Sequence, residues 1–455
     1  MDNRTIAAVA TPNAPAGIGI VRISGERAIE IASAIFKPVS GAPLTESKGY
    51  RAHFGDVYDN NEKIDEAVCL VFRAPKSYTG EDTAEISCHG GLYVTKRILR
   101  AALDAGAVPA QAGEFTKRAF LNGKTDLARA ESVMALIGAS GKQAASAALN
   151  TLDGNLSRRI KKCADALIGV CASLAAWVDY PDEDIADVGG EDMLPVFTSV
   201  RAELADTVRR YDCGRVLTDG IDAVIVGKPN VGKSTLMNML TGFERSIVTD
   251  IAGTTRDVVE EKIILGEVVM RVADTAGIRE TENVVENIGV SLAKRRLERA
   301  ELVLAVFDGS EPLTAEDEEI ISQCRQKRAI ALLNKADLPL AADRKIIADA
   351  FPYVVELSAS TGEGGAELEK TVREIFSADE FDPNSACLTS ERQRQCCINA
   401  ISALDDAISA LQGGVTLDAV NVCADCAINS LLELTGERAA TAVVDEVFSR
   451  FCVGK

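Results

Sequence analysis

The stretch Gly227-Lys-Pro-Asn-Val-Gly232-Lys233-Ser234 decides the fold of the middle third of this chain. It follows a short apolar run, Ala223-Val-Ile-Val226, and precedes the helix-like Thr235-Leu-Met-Asn-Met-Leu240. The spacing is that of a Walker A loop, and strand–loop–helix is the context its mechanism needs. Glycines let backbone N–H groups wrap phosphates, Lys233 reaches the β and γ oxygens, and Ser234 offers a hydroxyl to Mg2+. That context sets it apart from a plain glycine turn at a strand end. Asn230, Val231, Gly232 and Thr235 are expected beside the nucleotide with Lys233 and Ser234.

Three further motifs follow in order. Asp274-Thr275-Ala276-Gly277 ends the apolar run Val268–Ala273. Its Asp can hold Mg2+ through water, and Gly277 can offer an N–H to the γ-phosphate. Asn334-Lys335-Ala336-Asp337 ends the run 329–333. Asp337 can accept from guanine N1–H and the 2-amino group, whereas adenine would leave that carboxylate unpaired. Ser358-Ala359-Ser360 follows another short strand and can bring a backbone N–H to the guanine oxygen, although alone it reads equally well as an ordinary loop. Between Walker A and Asp274, the segment Thr249-Asp250-Ile251-Ala252-Gly253-Thr254-Thr255 places Thr255 to complete the Mg2+ shell. It is a loop that should order around a γ-phosphate, and it also reads as a surface loop. Together the four motifs point to GTP rather than ATP.

The order is that of Ras-like GTPases with one difference. Ile278 follows Asp-Thr-Ala-Gly where Ras-type proteins place a water-orienting glutamine. Glu280, Glu282 and Glu286 are candidates for that role, and all three read also as solvated acids opening a helix at about Val284 to Arg299.

On either side of this unit the pattern changes. Residues 1–120 alternate strand-like and helix-like pieces, with strands expected at Ile18–Ile23, Ala67–Phe72 and Thr83–Ser87. From about Leu127 to Arg215 the chain reads as helical, with Leu156, Ile160, Ala164, Leu167 and Ile168 on one face. An acidic break falls at Asp179–Asp184. Ser390-Glu-Arg-Gln393 has the spacing of a capping box that opens a helical tail. The simplest arrangement is a mixed α/β multidomain chain: an N-terminal α+β domain (1–120), a helical domain in two parts (121–217 and 379–455), and an inserted Ras-like P-loop domain (218–378).

The 455 residues carry 49 Lys+Arg against 68 Asp+Glu, a net charge of −19. Such a chain does not hold nucleic acid by its bulk field, so any RNA contact must be local. Arg158-Arg-Ile-Lys-Lys162 and Lys294-Arg-Arg-Leu-Glu-Arg299 are the clearest basic clusters. Both read first as solvated helix faces, the former being a candidate for RNA backbone contact. No signal peptide or membrane span is expected. The 12 cysteines, scattered through a long chain, favour reduced thiols in a cytoplasmic protein. Cys396-Cys397 and Cys423-x-x-Cys426 invite a zinc reading, but His53 and His89 are the only histidines, and core packing is the expectation.

Five stretches outside the nucleotide motifs carry a family resemblance that runs nearly end to end. They are Gly17-Ile-Gly-Ile-Val-Arg-Ile-Ser-Gly25, Ser77-Tyr-Thr-Gly-Glu-Asp82, His89-Gly-Gly91, Gly113-Glu-Phe-Thr-Lys-Arg-Ala-Phe-Leu-Asn122 and Cys452-Val453-Gly454-Lys455. With these the chain resembles the bacterial tRNA-modification GTPase family MnmE, also called TrmE. The resemblance implies a folate-binding N-terminal domain that forms a homodimer, and a complex with the FAD-containing partner MnmG (GidA). It implies addition of an aminomethyl or carboxymethylaminomethyl group to C5 of the wobble uridine of certain tRNAs, with a tetrahydrofolate derivative (5,10-methylene or 5-formyl form) as the bound folate. Family folate contacts map onto Arg22, Glu81, Lys124 and Lys455, with Glu85 close enough to compete with Glu81. Without the resemblance, Arg22 and Glu81 read as a surface ion pair. A K+ ion would stand in for an arginine finger, held by Asn230, Thr249, Ile251 and Thr254. The water-orienting carboxylate maps to Glu286. Cys452 reads equally as a catalytic thiol or as a small buried residue or packing contact. The rival class is a GTPase switch in ribosome assembly without modification chemistry.

Overall fold

The computed structural model describes residues 4–139, 141–179, 190–218, 220–242, 244–245, 260–265, 268–273, 297, 299–376 and 385–455. They pack as two compact units: Met1–Met134 with Leu152–Ala202 and Ser390–Lys455, and Ala135–Thr151 with Glu203–Thr389.

In the first unit β1 (Ile6–Val9), β2 (Ile18–Ser24), β3 (Phe36–Pro38), β4 (Arg51–Asp59), β5 (Glu62–Phe72), β6 (Thr83–His89) and β7 (Val108–Pro109) form one sheet in the order β3-β4-β5-β6-β2-β1-β7. Neighbours run antiparallel except β1 and β7. Strand alternation assigns the two faces. Val21, Ile23, Ala84 and Ile86 join a core with the helices Ala28–Ile35 and Leu92–Asp104. Arg22 and Glu85 point the other way and sit opposite each other in the β2–β6 register. The three strands read from the sequence are present, each somewhat longer than expected.

The helices Asn155–Asp179, Glu391–Gln412, Leu417–Thr435 and Thr441–Ser449 also belong to this unit. Leu156, Ile160, Ala164 and Leu167 are buried as expected, but Ile168 is 41% exposed. Each residue turns the helix by about 100°, so Ile168 falls past the seam, and Cys163 and Cys171 complete the buried stripe instead. The core expectation for Cys423 and Cys426 also fails. Helix Leu417–Thr435 buries Val420, Ala424, Ala427, Ile428, Leu431 and Leu434, which leaves Cys423 half-buried and Cys426 exposed. Cys396 and Cys397 are buried as expected, and burial pushes their thiols up to about 11 and about 12. Among the described residues no cluster of His, Cys, Asp and Glu could hold a metal ion. At Ser390 one arm of the expected capping box forms, with Gln393 N donating to Ser390 Oγ at 3.3 Å. The Gln393 side-chain amide donates to Glu131 instead, at 2.5 Å, because a half-buried carboxylate on a neighbouring helix competes for it.

The second unit holds β8 (Ile221–Val226), β9 (Glu244–Arg245), β10 (Glu260–Leu265), β11 (Val268–Ala273), β12 (Leu302–Asp308), β13 (Ala329–Asn334) and β14 (Tyr353–Glu356), in the order β14-β13-β12-β8-β11-β10-β9. The five strands β14, β13, β12, β8 and β11 are parallel, and β10 runs antiparallel to both its neighbours. Alternate residues of β12 and β13 enter two separate cores, Leu304 and Leu332 in one, Phe307 and Leu333 in the other. A parallel sheet covered on both faces explains why these strands read as unbroken apolar runs. β8 lies between β11 and β12, where the winding of the sheet reverses. In such sheets the ligand crevice opens at the carboxyl ends of the strands flanking that point. This is the Ras-like, doubly wound arrangement expected from the sequence.

Among the described residues, no helix is long and apolar enough to cross a membrane.

Candidate functional site

The loop leaving β8 is shaped by backbone geometry that few residues tolerate. Asn230 has φ +65° and Gly232 φ +96°. A Cβ on Gly232 would lie 2.3 Å from Asn334 Nδ2, so the position needs glycine for both its dihedral and its space. Helix Lys233–Gly242 starts directly after it. Lys233 Nζ donates to the carbonyls of Gly227 (2.8 Å) and Lys228 (2.7 Å), which holds the ammonium against the loop. Asn230, Ser234 and Thr235 are exposed, and Val231 is buried.

Asn334, at the end of β13, joins this loop to the base-side loop. Its Nδ2 donates to Val231 O at 2.7 Å, and its Oδ1 accepts from Ala359 N at 2.9 Å. Both polar ends of the side chain therefore serve the scaffold. Asp337 is exposed, and its Oδ1 accepts from Ser358 Oγ at 2.6 Å. Ser358 is fully buried and its hydroxyl also lies 3.0 Å from Ser360 Oγ. Lys335, at φ +65°, pairs with Asp308 at 2.5 Å. Burial works against the charge on Asp308, but the Lys335 ammonium and the Ser310 hydroxyl and N–H outweigh it and hold the carboxyl below its usual range. The sequence reading missed Asp308; its signal is an acid at the end of an otherwise wholly apolar strand.

The structure thus brings together Asn230 to Thr235, Asn334, Lys335, Asp337 and the 358–360 loop. Thr249, Asp250, Ile251, Ala252, Gly253, Thr254, Thr255, Asp274, Thr275, Ala276, Gly277, Glu280, Glu282 and Glu286 lie outside the described residues.

A second cluster forms on the outer face of the β1–β7 sheet. Arg22 Nε donates to Glu85 Oε1 at 2.7 Å and an Arg22 NH donates to Gly454 O at 3.0 Å. The guanidinium lies over the rings of Tyr78 (5.6 Å) and Phe115 (5.4 Å), a geometry that favours a cation. Glu81 takes a different arginine. Arg118, only 7% exposed, donates to both of its oxygens at 3.2 Å and pairs with Glu114 at 2.9 Å. Ser24 Oγ adds a bond to Glu81 at 2.8 Å. Arg22 and Glu81 are therefore not a surface pair with each other, and each carboxylate in question has its own partner. Lys124 Nζ donates to Pro75 O at 3.0 Å, and its side chain packs beside Gly80, next to Glu81.

The tail comes to the same place. Val453 bridges to Ala112, and Phe115 N donates to Lys455 O at 3.2 Å. A Cβ on Gly454, at φ +99°, would lie 2.5 Å from Val9 O, so only glycine lets the tail lie against β1. Cys452 is exposed, which removes the buried-residue reading of its thiol. A cleft of about 830 Å3 adjoins Glu81, Glu114, Arg118 and Asn122. Arg118 and Ser24 were not singled out from the sequence. The available signal was Glu114 and Arg118 at i, i+4 on helix Glu114–Leu121.

Comparison with known proteins sets both clusters in context. Residues 5–124 match the family model of the GTP-binding protein TrmE N-terminus, and residues 127–452 that of the MnmE helical domain. The chain is similar to the tRNA modification GTPase MnmE of Acetivibrio thermocellus, 40% identical over 459 residues with 99% of each chain covered. It is 41% identical over 462 residues to that of Heliobacterium modesticaldum, again with 99% of each covered. Among solved structures, Aquifex aeolicus Era bound to GDP and aluminium fluoride is 32% identical over 40% of this chain, with a TM-score of 0.27. The chain covers 66% of that structure, just under two thirds. With a family model over most of its length and relatives matched from end to end, this chain belongs to the MnmE (TrmE) family of tRNA modification GTPases.

Proposed function

We propose that this chain hydrolyses GTP and uses the hydrolytic cycle in modifying C5 of the wobble uridine of tRNA, together with an FAD-containing MnmG-type partner. The observation that carries the reading is the Asn334 strut, which ties the phosphate loop and the Asp337–Ser358 base loop into one frame. A guanine nucleotide suits that frame. Backbone N–H groups and Lys233 would meet its phosphates, and Asp337, fixed by Ser358, would accept from the guanine edge.

Mg2+ would take the hydroxyl of Ser234, exposed on the first helical turn, together with Thr255. K+ would use Asn230, exposed at the tip of the loop, with Thr249, Ile251 and Thr254, and Glu286 would orient the attacking water. A fixed cation there would neutralise charge building on the phosphate oxygens.

The outer-face cluster supports a folate. Glu81, immobilised by Arg118 and Ser24, offers a carboxylate to the donor pair of a pterin, and Arg22, Lys124 and Lys455 supply positive charge for a carboxylate tail. Arg118 holds Glu81, and Glu85 holds Arg22, before any ligand arrives, which lowers the cost of binding. The folate would supply a one-carbon unit, and the Cys452 thiol is exposed toward solvent on the adjoining tail. The N-terminal unit would pair with a second copy.

Two measurements test this. GTP turnover should be faster in K+ than in Na+ at equal ionic strength, because an oxygen cage selects by ion size and coordination number; equal rates would remove the ion from the proposal. Mass spectrometry of tRNA from cells lacking the gene should show unmodified wobble uridine, restored by the wild-type gene. Normal modification without it would favour the ribosome-assembly class.

A further inference from the structure

The phosphate loop has an anchor that the nucleotide motifs do not contain. Asp317 is 1% exposed and is the third residue of helix Ala315–Cys324. Its Oδ2 accepts from Thr314 N (2.9 Å) and Thr314 Oγ1 (2.8 Å), one half of a capping box. The same oxygen accepts from Lys228 Nζ at 2.9 Å, and the Lys228 side chain is 12% exposed. A capping box is complete without a lysine, so the Lys228 bond needs a separate reason. Burying an ion pair carries a desolvation cost that its Coulombic gain does not always offset, and stability alone is a weak reason for one here. The place of Lys228 supplies another. It is the second residue of the phosphate loop, and its own carbonyl accepts from the Walker lysine, Lys233. A continuous chain therefore runs from the helix cap through Lys228 to Lys233. The far end of the loop is held separately by Asn334, and the base side by the Lys335–Asp308 pair.

We propose that Asp317, acting through Lys228, is a positioning residue that sets the phosphate side of the nucleotide site. Asp317 is the outer fixed point and Lys228 the tether, and together they keep the Gly227 and Lys228 carbonyls where Lys233 is aimed. The inference rests on the nucleotide reading above and deepens it. Because the base side has its own anchors, loosening this one should weaken the hold on phosphates without altering base choice.

The test is release of a fluorescent mant-GDP from the full-length protein by stopped flow, with GDP/IDP discrimination measured alongside. Asp317→Asn keeps an acceptor for the cap and removes the charge; Lys228→Met keeps the stem and removes the ammonium. Each should speed release about tenfold, and the double variant should release no faster than either single, as expected for two residues in direct contact. Lys228→Arg should stay within about twofold of wild type, since it keeps the charge and a donor. The GDP/IDP ratio should hold in all of them. Circular dichroism confirms folding, and if Asp317→Asn does not fold, Lys228→Met against Lys228→Arg still decides. Folded single variants that release mant-GDP like wild type, or single effects that multiply in the double, overturn the inference. So does a collapse of the GDP/IDP ratio, which would show general loosening of the site. Wild-type protein that fails to retain mant-GDP overturns the nucleotide reading, and this inference with it.

Discussion

At the scale of single residues, the base-side loop depends on the contrast between two neighbours. Ser358 is fully buried and Asp337 is exposed, with 2.6 Å between the serine hydroxyl and the carboxylate. The buried partner orients the exposed one, so Asp337 presents a fixed acceptor rather than a rotating one. Asp337→Asn turns one acceptor into a donor, which faces the guanine amino group unfavourably. The expected loss of GTP affinity is about 1.5–3 kcal/mol, or roughly 10- to 150-fold, the worth of a charged hydrogen bond. Xanthosine triphosphate, with an oxygen in place of that amino group, should bind relatively better. Equilibrium titration with both nucleotides checks this, and a folded variant with wild-type GTP affinity would refute the guanine reading.

At the scale of elements, the helices of the first unit meet at a part-buried ion pair. Glu131, on helix Leu127–Gly138, accepts from Arg392 Nε and NH2 (both 2.9 Å), from Gln393 and from Ser390. Arg392 also donates to the carbonyls of Glu433 and Leu434 at the end of helix Leu417–Thr435, where unpaired carbonyls collect; Glu433 O accepts from the capping Gly436 N as well. One guanidinium thus closes one helix end and joins it to two other helices. Burial disfavours its charge, but Glu131 more than compensates and raises its pKa. Arg392→Met should cost about 1.5–3 kcal/mol, the worth of charged hydrogen bonds, because Glu131 loses its cation while keeping Ser390 and Gln393. Pairing it with Glu131→Leu should recover much of that loss. Urea denaturation of the three variants would show it, and an Arg392→Met protein as stable as wild type would mean the hub contributes little.

At the scale of the whole molecule, the two candidate sites fall in different compact units. Arg22 and Lys124 belong to the first and the phosphate loop to the second. Arg22→Ala and Lys124→Ala should therefore weaken binding of 5-formyl-tetrahydrofolate by about tenfold or more, as loss of a charged hydrogen bond predicts, while leaving GTP affinity unchanged. Calorimetry with each ligand separates the two effects. Loss of GTP binding in these variants would mean that the sites are not independent.

The sequence by itself determined the nucleotide fold. Short apolar runs before Gly227, Asp274 and Asn334, each stopped by a nucleotide motif, read as strands covered on both faces, and the loop glycines and Lys233 follow from what phosphates require. These are local rules, in which spacing along the chain equals spacing in space. The same rules located three strands of the first sheet and the buried face of helix Asn155–Asp179, missing by one residue at Ile168, where a single step of rotation separates core from solvent. What the tertiary structure alone decided were partnerships between distant segments. Glu85 takes Arg22 and Glu81 takes Arg118, a division settled by strand register and by a helix more than 30 residues away. The tail reaches Arg22 across 432 residues, and Asp317 reaches Lys228 across 89. Cys426 is exposed only because of which side of its helix the neighbouring helices cover. Charge and size mark such residues as candidates, but the pairing is set by packing, which no local pattern encodes.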